Sequence, residues 1–229
     1  QNHRVLGNNW IPSTGLAYRM SDRTTLKASV AKGYRSPSIR ELFITQWGGN
    51  SGLKPDQIIN YEMGFHHVFK PVNLTVELTA FLIEGKNMII TVPLQGLKNS
   101  GRIENKGIEF TANARPVSNL KLSMAYSYIN MKEPVYATPE HQLFINGKYN
   151  HKKISLIPRI QVVRNIDTDP GPETKHQNYV SLNIKTTYRL TGFAEISASC
   201  ENLLNQNYEI NRNYPMPGIT FFTGINLRY

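Results

Sequence analysis

Apolar and polar residues alternate along most of this chain. Residues 119–130 show the pattern clearly, because every even position from Leu120 to Tyr128 is apolar and the positions between carry lysine, serine or alanine. A period of two places each class of side chain on one face of a β-strand, whereas an amphipathic helix repeats every ~3.6 residues. The pattern recurs in 73–83 and 219–229. The sequence therefore predicts an all-β protein.

The alternating segments predict about eleven strands. Most are longer than the ~5–6 residues common in globular proteins. Their length suits the ~9–11 residues that a tilted strand needs to cross a bilayer. The predicted strands are 11–20, 23–33, 57–68, 73–92, 102–115, 119–130, 139–150, 153–165, 177–190, 192–203 and 218–229.

The connections between these strands alternate strictly between short and long. The short turns are predicted at 21–22, 69–72, 115–118, 151–152 and 190–191. The long loops are predicted at 34–56, 93–101, 131–138, 166–176 and 204–217. In an up-and-down sheet alternate connections lie at the same end, so one end carries every long loop. This asymmetry is typical of outer-membrane barrels, which have short periplasmic turns and longer extracellular loops.

A soluble β-sandwich is the alternative architecture, because it also has one apolar face per strand. Tyrosine and phenylalanine recur near the predicted strand ends, where membrane barrels carry aromatic girdles. These residues are Tyr18, Tyr34, Phe69, Tyr128, Tyr149 and Tyr188. Together with the long strands and the loop asymmetry, they favour an antiparallel up-and-down transmembrane β-barrel.

Composition narrows the possible partners. The 229 residues include 26 Lys+Arg and 16 Asp+Glu, a formal charge of +10, yet the basic residues are scattered and do not support a nucleic-acid partner. Charged residues make up 18% of the chain, below the ~25% of ordinary soluble domains. The single cysteine, Cys200, excludes an internal disulfide and a cysteine-based zinc site. No apolar run approaches the ~18 residues of a membrane-spanning helix.

The sequence contains no recognisable catalytic or metal-binding motif, so we predict no enzyme activity, no catalytic residue, no metal site and no cofactor. The pair His66-His67 cannot share an ion, because adjacent strand residues point to opposite faces. An outer-membrane lipase would need a serine and a histidine on one rim, and we find no such pair.

Ligand binding is the chemistry that the long loops favour. Arginine can clamp carboxylates or anionic chelates, and tyrosine or tryptophan offers a flat amphipathic contact. The alternative role for each residue is packing between loops. The candidate ligand-binding residues are Arg35, Arg40, Trp47, Tyr136, Tyr208, Arg212 and Tyr214.

Four stretches of the chain carry recognisable motifs. Residues 26–43 read LKASVAKGYRSPSIRELF and contain Tyr-Arg-x-Pro. Residues 50–64 read NSGLKPDQIINYEMG, residues 99–109 read NSGRIENKGIE, and residues 201–229 end in an aromatic residue. Together these stretches resemble the C-terminal barrel half of TonB-dependent outer-membrane receptors. In that family the first stretch is a strand that ends in Phe/Tyr-Arg-x-Pro and a helical turn, the second has a Pro-x pair where this chain has Ser51-Gly52, and the last forms the closing strands.

The resemblance implies how the chain is organised. The family barrel has ~22 strands around a plug, so eleven strands are about half a barrel. We therefore expect residues 1–229 to be the C-terminal portion of the barrel, with the plug domain and early strands absent from this chain. An eleven-stranded arc has two open edges, which lipid does not tolerate. Pairing between residues near 11–20 and 219–229 would instead indicate a small closed barrel.

The resemblance also implies a function and partners. We expect a receptor in the bacterial outer membrane that takes up a scarce nutrient complex, energised by TonB through the missing N-terminal part. A ferric siderophore is the first expected cargo and cobalamin the second. Haem is disfavoured because 38–49 lacks the histidine that haem receptors carry there. Further expected partners are outer-membrane lipid and, through the terminal Tyr229, the barrel-insertion machinery. A soluble β-sandwich that binds carbohydrate or protein is the alternative from another class.

Overall fold

A computed structural model describes residues 2–3, 7–8, 10–44, 49–92, 96–99, 102–132, 137–168 and 176–227. These residues are mostly antiparallel strands, with the short helix α1 (Ile39–Phe43) and a 3₁₀ turn at Lys70–Val72. No helix in these ranges is long and apolar enough to span a membrane. The strands are β1 (Asn2–His3), β2 (Gly7–Asn8), β3 (Ser13–Ser21), β4 (Thr24–Arg35), β5 (Asp56–Phe69), β6 (Leu74–Lys86), β7 (Ile89–Val92), β8 (Gly96–Asn99), β9 (Arg102–Val117), β10 (Leu120–Met131), β11 (Pro139–His151), β12 (Ile154–Asp167), β13 (His176–Arg189), β14 (Ala194–Glu201), β15 (Glu209–Asn211), β16 (Tyr214–Pro215) and β17 (Thr220–Leu227).

Eleven strands form one antiparallel up-and-down sheet, as the sequence predicts. Its order is β17-β14-β13-β12-β11-β10-β9-β6-β5-β4-β3. The remaining strands form three small hairpins, β1–β2, β7–β8 and β15–β16. Strands β3 and β17 stand at the two ends of the sheet, and no pairing joins them in the part of the chain that the structure describes.

One predicted strand boundary is wrong. The segment 73–92 does not form one strand, because β6 ends at Lys86 and Asn87 adopts a left-handed backbone with φ 56°. The chain then enters β7, which pairs with β8 instead of extending the sheet. Part of the predicted loop 93–101 is therefore a strand of this hairpin. A left-handed residue interrupts the alternation that the sequence suggests, and asparagine adopts this conformation more readily than most residues.

The strand register separates polar from apolar side chains, which confirms the predicted alternation. One row of directly paired residues across β10–β13 is polar and consists of Ser123, Asn146, Arg159 and Asn183. The adjacent row, on the opposite face, is apolar and consists of Met124, Ile145, Ile160 and Leu182. We call these the polar face and the apolar face. The apolar face has no protein layer packed over it among the described residues, since large side chains such as Ile145, Phe65 and Ile225 remain exposed. Such a face suits lipid contact.

His66 and His67 lie on opposite faces, as their spacing predicts. His66 pairs with Thr25 and Glu77 on the polar face. On the apolar face the Nδ1 atom of His67 lies 2.8 Å from the Thr24 hydroxyl.

Strands β9 and β10 approach each other closely at Gly107, where a Cβ atom would overlap the Tyr128 carbonyl oxygen. Only glycine fits this position without displacing the backbone of β10.

Candidate ligand-binding loops

All five long connections of the main sheet leave from one end, which we call the loop end. They join β4 to β5, β6 to β9, β10 to β11, β12 to β13 and β14 to β17. The other end, the turn end, has connections of two to four residues. This distribution confirms the predicted alternation of short and long connections. Functional side chains carried by loops therefore concentrate at the loop end.

Arg35 is the centre of an ion-pair network at the base of the first long loop. Its Nε lies 2.8 Å from an Oδ atom of Asp56, and its Nη1 lies 3.0 Å from the Glu41 carboxylate. Asp56 is 2% exposed and also accepts a hydrogen bond from the Ile89 backbone N–H at 2.9 Å. The network therefore joins the end of β4, helix α1, the start of β5 and the start of β7.

Helix α1 is short, and its N-terminus is closed by a capping box. The Ser38 hydroxyl accepts from the Glu41 N–H at 3.3 Å, while the Glu41 carboxylate accepts from the Ser38 N–H at 2.7 Å. Burial raises the pKa of Glu41, but hydrogen bonds from Ser38 and Arg35 outweigh it, and the net pKa lies below its usual 4.5. Glu41 is therefore an anion at neutral pH and a charge partner of Arg35.

The first long loop is also fastened to the β7–β8 hairpin. The Asn99 side chain accepts from the Lys54 backbone N–H at 2.8 Å and donates to the Lys54 carbonyl at 2.9 Å. The Asn50 side chain donates to the Leu97 carbonyl at 3.1 Å. Leu53 between these contacts is buried. The two neighbouring connections therefore form one packed unit.

The last long connection, residues 202–219, folds back onto the polar face of the sheet. Tyr208 stacks on Tyr179 of β13 with ring centroids 3.9 Å apart and an angle of 14° between the planes. Val163, Ile166 and Tyr179 are buried, and Tyr208 and Ile210 pack against them. Val163 and Tyr179 are paired across β12 and β13 in the rows of the polar face. A small hydrophobic core thus fixes this connection over the sheet.

Asn202 begins this connection and holds its two ends together. Its side chain donates to the carbonyls of Gln206 and Pro217, both at 3.0 Å, and accepts from the Gln206 N–H at 3.0 Å. Its own backbone N–H donates to the Asn183 side chain of β13 at 2.8 Å. Asn202 is 4% exposed and has a left-handed backbone with φ 50°.

Two other hydrogen bonds set the rest of the connection. The Glu209 N–H donates to the Gln177 side chain at 2.8 Å, and the Arg212 N–H donates to the Thr168 carbonyl at 2.8 Å.

The Tyr208 phenol keeps its proton. Burial raises its pKa, and a hydrogen bond with Ser181 offsets only part of that rise. Tyr208 is therefore a neutral phenol at physiological pH.

The structure divides the predicted ligand-binding residues into two groups. Arg35, the last residue of β4, and Arg40 of helix α1 lie at the first long loop, whereas Tyr208, Arg212 and Tyr214 belong to the last. The side chain of Tyr214 is 73% exposed, so its ring is accessible. Trp47 and Tyr136 lie outside the described residues. No observation tests ligand binding by any of these residues, and that role stays a prediction.

Sequence reasoning missed the residues that fix the loops, namely Asp56, Asn99, Tyr179 and Asn202. One signal was present for Tyr179, since a large aromatic residue occupies a polar-face position in an alternating strand. Asparagine side chains that bond to distant backbone carry no comparable signal, because their partners are 15 or 45 residues away along the chain.

Three curated relatives share parts of this sequence. The ferric enterobactin receptor of Pseudomonas aeruginosa is 31% identical over 104 residues, covering 38% of this chain and 14% of that protein. The iron-regulated outer membrane virulence protein of Vibrio cholerae is 23% identical over 269 residues, covering 97% and 40%. The vitamin B12 transporter BtuB of Vibrio cholerae is 21% identical over 235 residues, covering 97% and 38%. The chain thus spans at most about 40% of the length of these relatives.

The fold is also similar to a solved structure. A mutant of the ferric enterobactin receptor PfeA from Pseudomonas aeruginosa, in complex with enterobactin, superimposes with a TM-score of 0.80 at 22% identity. The match covers 99% of this chain and 41% of that one. The family model "TonB dependent receptor-like, beta-barrel" matches residues 1–203. The chain therefore belongs to the TonB-dependent receptors, a family of outer-membrane transport proteins, and it forms part of their β-barrel.

Proposed function

We propose that this chain supplies ligand-capturing loops and part of the transport wall of a ferric siderophore receptor energised through TonB. The observation that carries the proposal is the last long connection, which folds onto the polar face while leaving Tyr214 exposed. A binding loop anchored in this way loses little conformational freedom when it binds a ligand, and preorganisation of this kind favours affinity.

The chemistry at the loop end suits an anionic, aromatic chelate. Tyr214 offers an exposed ring. Arg212 lies two positions before it in the sequence, and Arg40 lies in the first long loop at the same end of the sheet. Both arginines carry a permanent positive charge. Guanidinium groups recognise carboxylates and other planar anions through paired hydrogen bonds, and they also stack on aromatic faces. Arg35 is engaged by two carboxylates, so its contribution is to position the first loop.

The polar face provides the wall along which cargo would pass. It is lined by serine, asparagine, lysine and arginine side chains, which can be hydrated. Among the described strands, β3 and β17 each have one edge without a partner, and other strands of the same protein would complete these edges, since unpaired backbone groups are costly in lipid. In this proposal, residues 1–229 are the C-terminal portion of the barrel, and the plug and the TonB-contacting segment belong to the remainder.

Cobalamin is the second candidate cargo. The observation that favours it is the match to the vitamin B12 transporter BtuB over 97% of this chain. The iron-regulated relative matches the same share of the chain, so sequence likeness alone does not separate the two cargoes.

Uptake measurements test the proposal directly. A deletion strain should lose accumulation of radiolabelled iron from ferric siderophores and retain accumulation of labelled cobalamin. Complementation with the double variant Arg212→Gln/Tyr214→Ala should restore the protein in the membrane but reduce uptake at limiting siderophore concentration. The matched control, Lys70→Gln, removes a charge at the turn end and should transport normally. Loss of cobalamin uptake instead would support the second candidate, and no change in either uptake would refute both.

A further inference from the structure

A hollow of about 810 Å³ lies on the polar face near the turn end of the sheet. The four residues that define the polar face, Ser123, Asn146, Arg159 and Asn183, all line it. Asn73, which directly follows the 3₁₀ turn, lines it as well, so the hollow reaches the turns themselves. Small-molecule sites usually have volumes of ~300–1,000 Å³. The hollow is therefore large enough for a compact ligand.

Four cationic residues line this hollow, and we call the hollow with these residues the basic bowl. They are Arg115, Lys121, Lys148 and Arg159, and all four are exposed. Lys121 stands directly opposite Lys148 in the register of β10 and β11, where cross-strand Cβ atoms are ~5 Å apart and like charges repel. Arg159 stands opposite Asn146, two positions from Lys148 along β11, which is ~7 Å along the strand. The bowl therefore concentrates positive charge in one small region.

The basic bowl has no carboxylate in its lining, and none of its cations forms an ion pair in the part of the chain that the structure describes. Carboxylates elsewhere on the polar face stand apart from it. Glu77 is two strands from β10 and pairs with Lys27 at 3.2 Å. Glu201 is two strands from β12, and Glu109 pairs with Ser127 beyond the middle of β10. A cleft with charge of one sign raises the local concentration of ions of the opposite sign.

The neutral part of the lining indicates the kind of anion that fits. Phe144 and Ile157 provide apolar surface, while Ser123, Gln161 and Asn183 provide hydroxyl and amide groups. This combination suits a small anion that also carries apolar or aromatic groups. The surface of a folded domain is a poorer match, because a stable protein interface buries ~800 Å² on each partner and is not confined to one hollow.

We propose that the basic bowl binds a compact polyanion, and that the anionic cargo occupies it on the way out of the barrel at the turn end. An anion between Lys121 and Lys148 relieves the repulsion between them, and the Arg159 guanidinium can bind its oxygen atoms through paired hydrogen bonds. The proposal rests on the proposed function, because it takes a ferric chelate as the ligand and the turn end as the exit. It adds a second site, at the opposite end of the polar face from the candidate loops.

The first test separates capture from passage in cells of the deletion strain that produce the full-length protein. The probe is an anionic ferric catecholate labelled with radioactive iron. Lys121→Gln/Lys148→Gln/Arg159→Gln should bind it normally in energy-depleted cells, because the loops are intact. The maximal uptake rate should fall about tenfold, on the order of twofold for each exposed charge removed. The matched control Lys70→Gln/Lys152→Gln/Lys153→Gln removes three charges from turns at the same end and should transport normally.

A charge-preserving variant separates charge from shape. Lys121→Arg/Lys148→Arg/Arg159→Lys should keep the wild-type uptake rate, whereas an equal loss in this variant would overturn the proposal. Unchanged uptake in the glutamine variant would also overturn it. Slow uptake accompanied by new leakage of large antibiotics through the barrel would show that the cations instead hold a domain inside the lumen, and this result would overturn the proposal too.

The second test detects the site without transport. Lysines of the purified full-length protein are acylated with and without the ferric catecholate or inorganic pyrophosphate, and the products are read by mass spectrometry. Both anions should protect Lys121 and Lys148 but not Lys152. Absence of protection by both anions would overturn the proposal, and so would bowl lysines that resist acylation before any anion is added. If wild-type cells accumulate no ferric chelate, the proposed function fails, and protection by pyrophosphate still decides whether the bowl binds anions.

Discussion

Asn202 allows the contribution of one buried side chain to loop order to be measured. Asn202→Ala removes three hydrogen bonds worth ~1 kcal/mol each in typical proteins. It also puts alanine at φ 50°, a left-handed conformation that costs ~1 kcal/mol or more for a residue without the short polar side chain of asparagine. We therefore expect residues 202–219 to lose about 4 kcal/mol of local stability. Asn202→Gly loses the same hydrogen bonds without the backbone penalty, so about 3 kcal/mol is expected.

Hydrogen–deuterium exchange read by mass spectrometry is the appropriate assay, because it reports local opening without requiring the barrel to unfold. The amides of Gln206, Arg212 and Met216 are hydrogen-bonded within or from this connection and should be protected in the wild type. At tenfold per ~1.4 kcal/mol, exchange should accelerate about 1,000-fold in the alanine variant and about 100-fold in the glycine variant. The peptide covering 36–44 serves as the internal control and should not change.

Two results would refute this reasoning. Unchanged protection in the alanine variant would mean that the three side-chain hydrogen bonds do not hold the connection. Wild-type protection in the glycine variant would mean that backbone conformation alone matters. Asn202→Asp refines the comparison, since it keeps the acceptor for the Gln206 N–H but replaces the two donors to carbonyls. It should therefore be at least as destabilising as the glycine variant at neutral pH.

Three further predictions concern other parts of the barrel. Gly107→Ala should lower the free energy of unfolding of the barrel by about 3 kcal/mol, because the added Cβ overlaps a neighbouring backbone carbonyl. Urea unfolding in detergent measures this loss. The control Gly33→Ala has open space around the added Cβ and should leave the stability unchanged. Because the pKa of Glu41 is lowered in the folded loop, its carboxylate stabilises the loop above about pH 5, and the contribution disappears as the pH falls through the lowered pKa. The protection of amides 36–44, relative to their intrinsic exchange rate at each pH, should therefore fall in acid in the wild type but not in Glu41→Gln. Asn99→Ala should release the first long loop from the hairpin and accelerate hydrogen–deuterium exchange of the Lys54 amide, which donates to the Asn99 side chain. Unchanged exchange would contradict the role given to Asn99.

The main sheet could be predicted from sequence because its strands follow one physical rule. A strand with one apolar and one polar face must alternate, and the register of β10–β13 preserves that alternation across the sheet. The break at Asn87 could not be predicted, because residues on both sides of it continue to favour strands. Its effect depends on one backbone angle, which the pattern of apolar residues does not encode.

The candidate site was less predictable than the sheet. The arginine and aromatic candidates could be identified because they lie in predicted long loops. Their arrangement in space could not, because it depends on contacts between distant segments. The stacking of Tyr208 on Tyr179 joins residues 29 positions apart, and the Arg35–Asp56 ion pair joins residues 21 positions apart. The sequence therefore located the loops, whereas only the structure showed that Arg35 forms ion pairs with Glu41 and Asp56.

The up-and-down order of the main sheet has a consequence for how the barrel forms. Each strand pairs with its nearest neighbours along the chain, and only the small hairpins β7–β8 and β15–β16 intervene. Pairings between sequence neighbours close short loops, so the entropy lost at each step is small. The sheet can therefore grow one hairpin at a time from either edge, with each new strand completing the backbone hydrogen bonds of the previous one.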